Sequence, residues 1–493
     1  MKSARSTGST AAGATRWWVL ALAGTAQLMV VLDSTVVNIA LPSMQDDLKM
    51  SDATRGWVVS AYTLAFGGLL LIGGRLADRF GQRLAFVAGL LGFAAASALA
   101  GLAPNAPLLF AGRAAQGAFA ALLAPTALSL ITTTFTEARE RTTAFGVFGA
   151  LTGVGAAIGL LVGGLLTQYL SWNWCLLINV PITALALVRV PAVIPATTPV
   201  RGRPLDLAGM ALSMLGMLAI VYSLSEMATQ GWSSPLVLAL LAVGPLLLVA
   251  FIAWEARSRH PLLPLRVLRD RTRAGAFLAI GLPQVSMFGF FLFLTYYLQQ
   301  ILGYSPLQTG LAFLPLSLAI GVGSTVITKM LEPKLSPPAL IIPALLMMAA
   351  GIALLIGAGP GGFSVYLTLL LPAELLIGLG LGCVIAPSIS MATAGVGADD
   401  AGVASATVNV VQQLGGAIGI ALLNTVATTA AAGYLATSGT SDARARADAI
   451  MHGFSVSLAI AAAIVVATAV IAGFMLRSRA TLPLPESREE EVA

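Results

Sequence analysis

The sequence predicts an all-α membrane protein with 14 transmembrane helices, arranged as two pseudo-symmetric six-helix bundles and two inserted helices (6+2+6). Three observations lead to this prediction. Of the 493 residues, 57% are hydrophobic and only 10% are charged, too few charges to cover the surface of a water-soluble fold. The apolar residues form 14 windows of about 20 residues, the length that crosses a bilayer. The basic residues fall mainly on one side of these windows.

The distribution of lysine and arginine predicts the orientation. If the N-terminus is cytoplasmic, the cytoplasmic segments hold 22 of these residues and the external segments hold four. Cytoplasmic loops of membrane proteins are enriched in Lys and Arg, so both termini are expected on the inner side of a bacterial cytoplasmic membrane. The positive balance indicates no nucleic-acid partner, because no basic stripe lies on a polar domain. The first window, 17–41, is too long for a signal peptide and is expected to be retained.

Internal repetition divides the windows into domains. The Ala-Pro pair at 124–125 recurs at 386–387, and the small-residue stretch at 155–159 recurs at 415–419, at offsets of 262 and 260 residues. Two six-helix halves with a site between them are a transporter design. The predicted parts are a cytoplasmic tail (1–16), an N-terminal six-helix bundle (17–194), a linker with two inserted helices (195–273), a C-terminal six-helix bundle (274–476) and an acidic cytoplasmic tail (477–493).

Three ionisable residues interrupt the apolar windows: Asp33 in the first, Arg113 in the fourth and Glu374 in the twelfth. Each costs about 2.5–3.5 kcal/mol if it faces lipid, so each is expected to face an aqueous cavity or another of the three. The repeat offset of 262 carries Arg113 to position 375, next to Glu374. A carboxylate that alternates between a protonated and an ionised state is the minimum for proton coupling. We predict that Asp33 and Arg113 couple transport to protons and that Glu374 assists or contacts a cationic ligand. A structural ion pair is the alternative.

The segment 74–83, with the sequence GRLADRFGQR, is predicted as the loop between the second and third helices. Its glycines permit a tight turn, and Asp78 is suited to pair with arginines or cap a neighbouring helix in one conformation only. The segment resembles the cytoplasmic signature of the major facilitator superfamily, from which Gln82 departs. The resemblance implies a conformational switch made of the matching residues Gly74, Leu76, Asp78, Arg79, Gly81 and Arg83.

Three further stretches resemble the 14-helix drug:proton antiporter branch of that family, the EmrB/QacA type. The sequence LDSTVVNIALP at 32–42 is similar to the end of helix 1 in that branch. Arg113 and Gln116 are similar to a helix 4 motif whose arginine is associated with proton transfer. The fifth window resembles the antiporter motif, although Leu160 stands where the family usually has proline; its glycines are Gly149, Gly153, Gly155, Gly159, Gly163 and Gly164. Those at 155, 159 and 163 share one helix face, which lets another backbone approach closely.

Polar and soft side chains inside the windows are candidates for the wall of a substrate pathway. Amides within a membrane either line such a path or join helices by hydrogen bonds worth under about 1–2 kcal/mol. Methionine and aromatic side chains suit varied hydrophobic ligands, but core packing is the alternative for each of them. The predicted pathway residues are Asn38, Gln116, Met287, Phe291, Tyr297, Asn409, Gln412 and Gln413.

No catalytic or metal-binding motif is recognised in the sequence. None of the lysines follows a glycine, so a Walker A sequence is absent, and neither GxSxG nor HExxH occurs. We therefore predict no enzyme, no cofactor and no metal, but a monomeric exporter of small hydrophobic or cationic substrates, driven by the proton gradient. A nutrient symporter or facilitator with the same fold is the first alternative. A membrane sensor or assembly subunit without transport is the second.

Overall fold

The computed structural model describes residues 7–135, 137–194, 206–258, 261–262, 265–332, 334–359, 363–393, 398–438 and 443–476. These residues form helices joined by short turns. The predicted tails fall largely outside the described residues, which exclude 1–6 and 477–493, and so does 195–205 of the predicted linker.

The first eight helices are α1 (Thr7–Asp47), α2 (Trp57–Phe80), α3 (Gln82–Gly101), α4 (Ala106–Thr134), α5 (Ala138–Tyr169), α6 (Trp172–Val193), α7 (Leu207–Gln230) and α8 (Pro235–Glu255). After a short turn at Arg266–Arg269, the chain continues as α9 (Arg271–Ile301), α10 (Pro306–Leu331), α11 (Pro337–Leu354), α12 (Phe363–Thr393), α13 (Ala398–Ser438) and α14 (Ala443–Met475). Within the described residues, 12 helices are long and apolar enough to cross a membrane, and shorter apolar stretches occur in α2 (Trp57–Leu70) and α5 (Ala157–Tyr169). The chain is a multi-pass membrane protein.

Side chains at the helix starts satisfy backbone groups that a helix leaves unpaired. The Asn105 side chain accepts a hydrogen bond from the Leu108 amide at the start of α4. Ser305 and Gln308 form a reciprocal capping box at the start of α10. Asp206 caps α7, where it also accepts hydrogen bonds from the Trp254 indole at 2.8 Å and from Ser258. Asp206 therefore ties α7 to the end of α8.

The predicted loop at 74–83 is mostly helical, which corrects the prediction. Residues up to Phe80 belong to α2, and Gly81 alone makes the turn, at φ 92°. L-residues other than glycine rarely adopt this conformation, so one residue suffices to reverse the chain. Gly74, Leu76 and Arg79 thus lie in the last turns of α2, whereas Arg83 lies in the first turn of α3. The surroundings of the Asp78 side chain are outside the described part of the chain.

At one end of the molecule, Arg55 joins the first helices to the later ones. Arg55 precedes α2 and is buried, and its guanidinium donates to Asn424 of α13 and forms an ion pair with Asp52 at 2.8 Å. It also lies 3.9 Å from the ring centre of Tyr296 in α9. The Tyr296 hydroxyl donates to Gln45 at the end of α1. These contacts hold α1, α2, α9 and α13 together at this end.

Candidate functional site

The first candidate site is an ion pair between α1 and α4. Arg113 Nη1 lies 2.6 Å from Asp33 Oδ2, and both residues have 0% relative exposure. Arg113 Nε donates to the carbonyl of Val58 in α2 at 2.9 Å. The ion pair, predicted above as one alternative, is therefore present, and it is enclosed by protein on all sides in this conformation.

Two amides and a hydroxyl complete the shell around the carboxylate. Gln116 Nε2 donates to Asp33 Oδ1 at 2.8 Å and to Ser97 Oγ of α3 at 2.6 Å. Asn179 Nδ2, from α6, donates to the same Asp33 oxygen at 3.2 Å. Gln116 Oε1 accepts from Arg113 Nη1 at 2.7 Å. Asp33 thus accepts three hydrogen bonds, one from the charged guanidinium and two from neutral amide groups. Hydrogen bonds of this kind stabilise an ionised carboxylate.

The arginine is held less completely than the carboxylate. Arg113 Nη2 has no hydrogen-bond partner among the described residues. The guanidinium carbon lies 4.4 Å from the ring centre of Tyr62 in α2, a cation–π distance. Close packing next to it is made possible by Gly117, where an added Cβ would lie 2.2 Å from the Tyr62 carbonyl oxygen. The charges of Asp33 and Arg113 therefore balance, but the N–H groups of Arg113 Nη2 have no acceptor among the described residues.

The glycine stripe of α5 packs on the helix that carries Asp33. An added Cβ on Gly159 would lie 1.9 Å from Thr35 Oγ1, and one on Gly163 would lie 3.0 Å from the Val36 Cα. An added Cβ on Gly155 would lie 2.9 Å from the Leu28 side chain and 3.4 Å from that of Val31, both of α1, while Gly164 faces the backbone at the start of α10. Gly149 and Gly153 also lie in α5, but their surroundings are outside the described part of the chain. The stripe lets α1 and α5 meet along two turns on both sides of Asp33.

Glu374 does not join this cluster. It lies in α12 with 1% relative exposure, and neither carboxylate oxygen has a hydrogen-bond partner among the described residues. The expectation that each buried charge faces an aqueous cavity or another of the three is met by Asp33 and Arg113, but not by Glu374 in this conformation.

The predicted pathway residues are spread over different environments. Met287 and Tyr297 lie in the apolar core, and the Tyr297 hydroxyl donates to the Gly359 carbonyl at 2.7 Å. Phe291 stacks near Phe313 at 5.3 Å between ring centres. Asn38 donates to the Ser34 carbonyl of its own helix. On α13, Asn409 is exposed, Gln412 is half-buried, and Gln413 packs against Gly67 of α2. Their role in a substrate path stays a prediction, and only Gln116 touches the ionisable pair.

Sequence analysis did not assign three members of the cluster to the site. Asn179 carries a detectable signal, because an amide inside an apolar window needs a partner. Ser97 and Tyr62 carry none: a serine in an alanine-rich helix satisfies itself on its own backbone, and tyrosine is common near membrane interfaces. The arrangement as a whole holds one negative and one positive charge out of water and offers a single carboxylate that a proton can neutralise.

Most of the chain is similar in sequence to a known protein family and to named antibiotic-resistance and export proteins. The sequence profile of the Major Facilitator Superfamily matches residues 23–420. A puromycin resistance protein of Streptomyces alboniger is 55% identical over 464 residues, which cover 94% of this chain and 92% of that protein. A cephamycin export protein of Amycolatopsis lactamdurans is 39% identical over 439 residues, covering 86% and 88% of the two chains.

A solved structure shares the fold. A bacterial homologue of the human lysosomal transporter Spinster, in an inward-facing and unoccupied conformation, superimposes with a TM-score of 0.68. The match covers 94% of this chain and 97% of that one at 16% sequence identity, so the similarity concerns the fold alone.

Proposed function

Because the chain belongs to the major facilitator superfamily, we propose that it is a secondary active exporter that exchanges protons for hydrophobic drugs or antibiotics by alternating access. The relatives named for puromycin resistance and cephamycin export support antibiotics as the substrate class. The observation that carries the proton coupling is the fully buried Asp33–Arg113 pair with its amide shell.

The proposal includes the topology of the 14-helix antiporter branch. In the described part of the chain, 12 helices are long and apolar enough to span, and counting the shorter apolar stretches of α2 and α5 as spans gives the proposed 14. Of these, α7 and α8 pack on each other and form the inserted pair of a 6+2+6 arrangement, with α7 also in contact with α2 and α13. The excess of Lys and Arg in alternate loops supports an orientation with both termini in the cytoplasm of a bacterium.

Proton coupling follows from what protonation does to this pair. In the conformation described, an ionised Asp33 accepts hydrogen bonds from Arg113, Gln116 and Asn179, and thereby ties α1 to α4 and α6. A proton on Asp33 removes the negative charge and leaves the buried Arg113 without its counter-ion. Loss of one partner of a buried pair costs about 3–5 kcal/mol, so this conformation becomes unfavourable.

The energy scale matches a proton gradient. One elementary charge gains about 2.3 kcal/mol per 100 mV of membrane potential. Entry of a single proton therefore supplies energy of the same order as the cost of disrupting the pair. The neutral Asp33 frees α1 to move against α5, whose glycine face offers little side-chain obstruction. Deprotonation on the other side of the membrane restores the pair and resets the transporter.

The test uses everted membrane vesicles from a pump-deficient host. Transport of puromycin, chosen as the probe, is expected to stop when the pH gradient is collapsed. Asp33→Asn should abolish gradient-driven transport, whereas Asp46→Asn, an exposed carboxylate at the outer end of the same helix, should leave it intact. Undiminished substrate-induced proton release in Asp33→Asn would refute the coupling role of Asp33. Transport that continues without any gradient would refute exchange with protons altogether.

A further inference from the structure

Among the described residues, no cationic side chain lies beside the carboxylate of Glu374. Its helix, α12, packs on α10 and α11, and the residues of α11 include no ionisable side chain. The residues of α10 include one, Lys329. Gly378, one turn after Glu374, faces Leu316 and Ala319 of α10, so Lys329 lies ten residues further along that helix. At 1.5 Å per residue this is about 15 Å along the axis.

The other helices that pack on α12 supply no cation near Glu374 either, as far as the structure describes them. In α9, Arg271 and Arg273 lie in the first turn, where Arg271 donates to the carbonyl of Phe474 at the far end of α14. The nearby Tyr366 hydroxyl donates to the Ala312 carbonyl at 3.0 Å and is thus engaged elsewhere. The hydroxyls of Tyr296 and Tyr297 in α9 donate to Gln45 and to Gly359, respectively. The ionisable residues of α13 are two acids at its start, Asp399 and Asp400, and Tyr434 near its end, so this helix contributes no cation.

The carboxyl group of Glu374 is closed off from bulk solvent, with 1% relative exposure, and its helix packs tightly on both neighbours. An added Cβ on Gly378 would lie 2.6 Å from the Leu316 carbonyl oxygen, and one on Gly351 of α11 would lie 2.9 Å from the carbonyl oxygen of Ala373. Both neighbouring backbones therefore touch α12 within one turn of Glu374. An ionised carboxylate in such a place is removed from bulk solvent and has no hydrogen-bond donor among the described residues, whereas a neutral carboxylic acid loses far less on burial.

We propose that Glu374 is a second proton-binding site, which holds a proton in this conformation while Asp33 is ionised. The proposal rests on the proposed exchange of protons for substrate. The two carboxylates are then in opposite states: Asp33 is charged and paired, whereas Glu374 is neutral and unpaired. A bound cationic ligand at Glu374, one alternative from the sequence, is disfavoured in this conformation because the side chain is buried, with 1% relative exposure. Glu374 releases its proton when α12 moves away from α10 and α11 and water reaches the carboxyl group.

Infrared difference spectroscopy on the purified transporter at neutral pH tests this assignment. The carbonyl stretch of a protonated carboxylic acid is separate from the bands of ionised carboxylates. The spectrum of the wild type minus that of Glu374→Gln should contain one protonated carboxyl band. The spectrum of the wild type minus that of Asp33→Asn, a buried carboxylate matched in burial, should contain none. Absence of the band in the first difference spectrum overturns the proposal.

Variant stability provides an independent readout. Gln is a neutral isostere of a protonated Glu, so Glu374→Gln should fold and unfold at the wild-type temperature within a few degrees. If Glu374→Gln fails to fold while Glu374→Asp folds without a protonated carboxyl band, the proposal is wrong. Glu374→Asp should retain a protonated carboxyl band. A missing band together with gradient-driven export would overturn this inference alone, whereas a present band together with gradient-independent export would overturn the proposed function alone.

Discussion

Replacement of Asp33 by asparagine is the most informative perturbation of the ionisable cluster. The substitution keeps the shape of the side chain and removes its charge. Arg113 then keeps its positive charge at 0% exposure, and its Nη1, now 2.6 Å from Asp33 Oδ2, faces either an uncharged oxygen or an amide donor. The donors of Gln116 and Asn179 also lose their charged acceptor.

The cost can be estimated from the burial of the pair. Removal of one partner of a buried, hydrogen-bonded ion pair costs about 3–5 kcal/mol, a large part of the roughly 5–15 kcal/mol by which folded proteins are stable. Arg113→Gln should be destabilising as well, because it leaves Asp33 without its cation. The double variant Asp33→Asn/Arg113→Gln removes both charges and should be more stable than Asp33→Asn alone, which gives a coupling energy above about 2 kcal/mol.

Equilibrium unfolding in mixed detergent micelles, measured for the wild type, both single variants and the double variant, gives this coupling energy. Asp46→Asn serves as the control, since its carboxylate is exposed on the same helix. If the two single effects simply add in the double variant, the pair contributes no specific interaction and the reasoning for coupling through it fails. Restored stability without restored transport in the double variant is the expected combined result.

Three other predictions concern packing and helix ends. Gly117→Ala should destabilise the protein by about 1–3 kcal/mol, because its Cβ would lie 2.2 Å from a backbone oxygen of α2. The control Gly433→Ala, whose Cβ would have nothing within 4 Å, should be neutral or slightly stabilising. Equal unfolding midpoints for the two variants would contradict this prediction. Arg55→Gln should loosen the contact between α1, α2, α9 and α13. A cysteine at Gln299 should then react faster with an impermeant thiol reagent added on the side of the membrane where this end lies, and an unchanged rate would contradict the contact's role. Asp206→Ala should cost about 1 kcal/mol through loss of the α7 cap without change in proton release, and a loss as large as that of Asp33→Asn would be inconsistent with a capping role.

The sequence predicted the members of the ionisable pair but not their relation. Asp33 and Arg113 stood out because a charge inside an apolar window is costly, whatever lies around it. Their contact joins residues 80 positions apart, and it depends on how α1 and α4 are rotated about their axes. The sequence does not show which face of α4 meets α1. Gln116 was therefore assigned to the substrate pathway and not to the ion pair. Ser97 became part of the cluster only through the packing of α3 on α4.

Local chemistry also explains where the prediction at 74–83 was wrong. Two glycines and several charges indicated a loop, but a helix that leaves the membrane tolerates charged residues in its last turns. Only Gly81 takes the positive φ that ends the helix. Gly74 instead lies in α2, where an added Cβ would meet Pro125 of α4 at an ordinary 3.8 Å.

By itself, the sequence determined that the chain is helical and crosses a membrane many times, because each apolar segment must satisfy its own backbone hydrogen bonds within the bilayer. It also marked Asp33, Arg113 and Glu374 as unusual, because the cost of a charge in lipid is a property of the single residue. Only the tertiary structure decided that two of them neutralise each other while Glu374 stands alone. The pairing of side chains distant in sequence depends on helix rotation and on how closely the backbones approach, and no single segment contains that information.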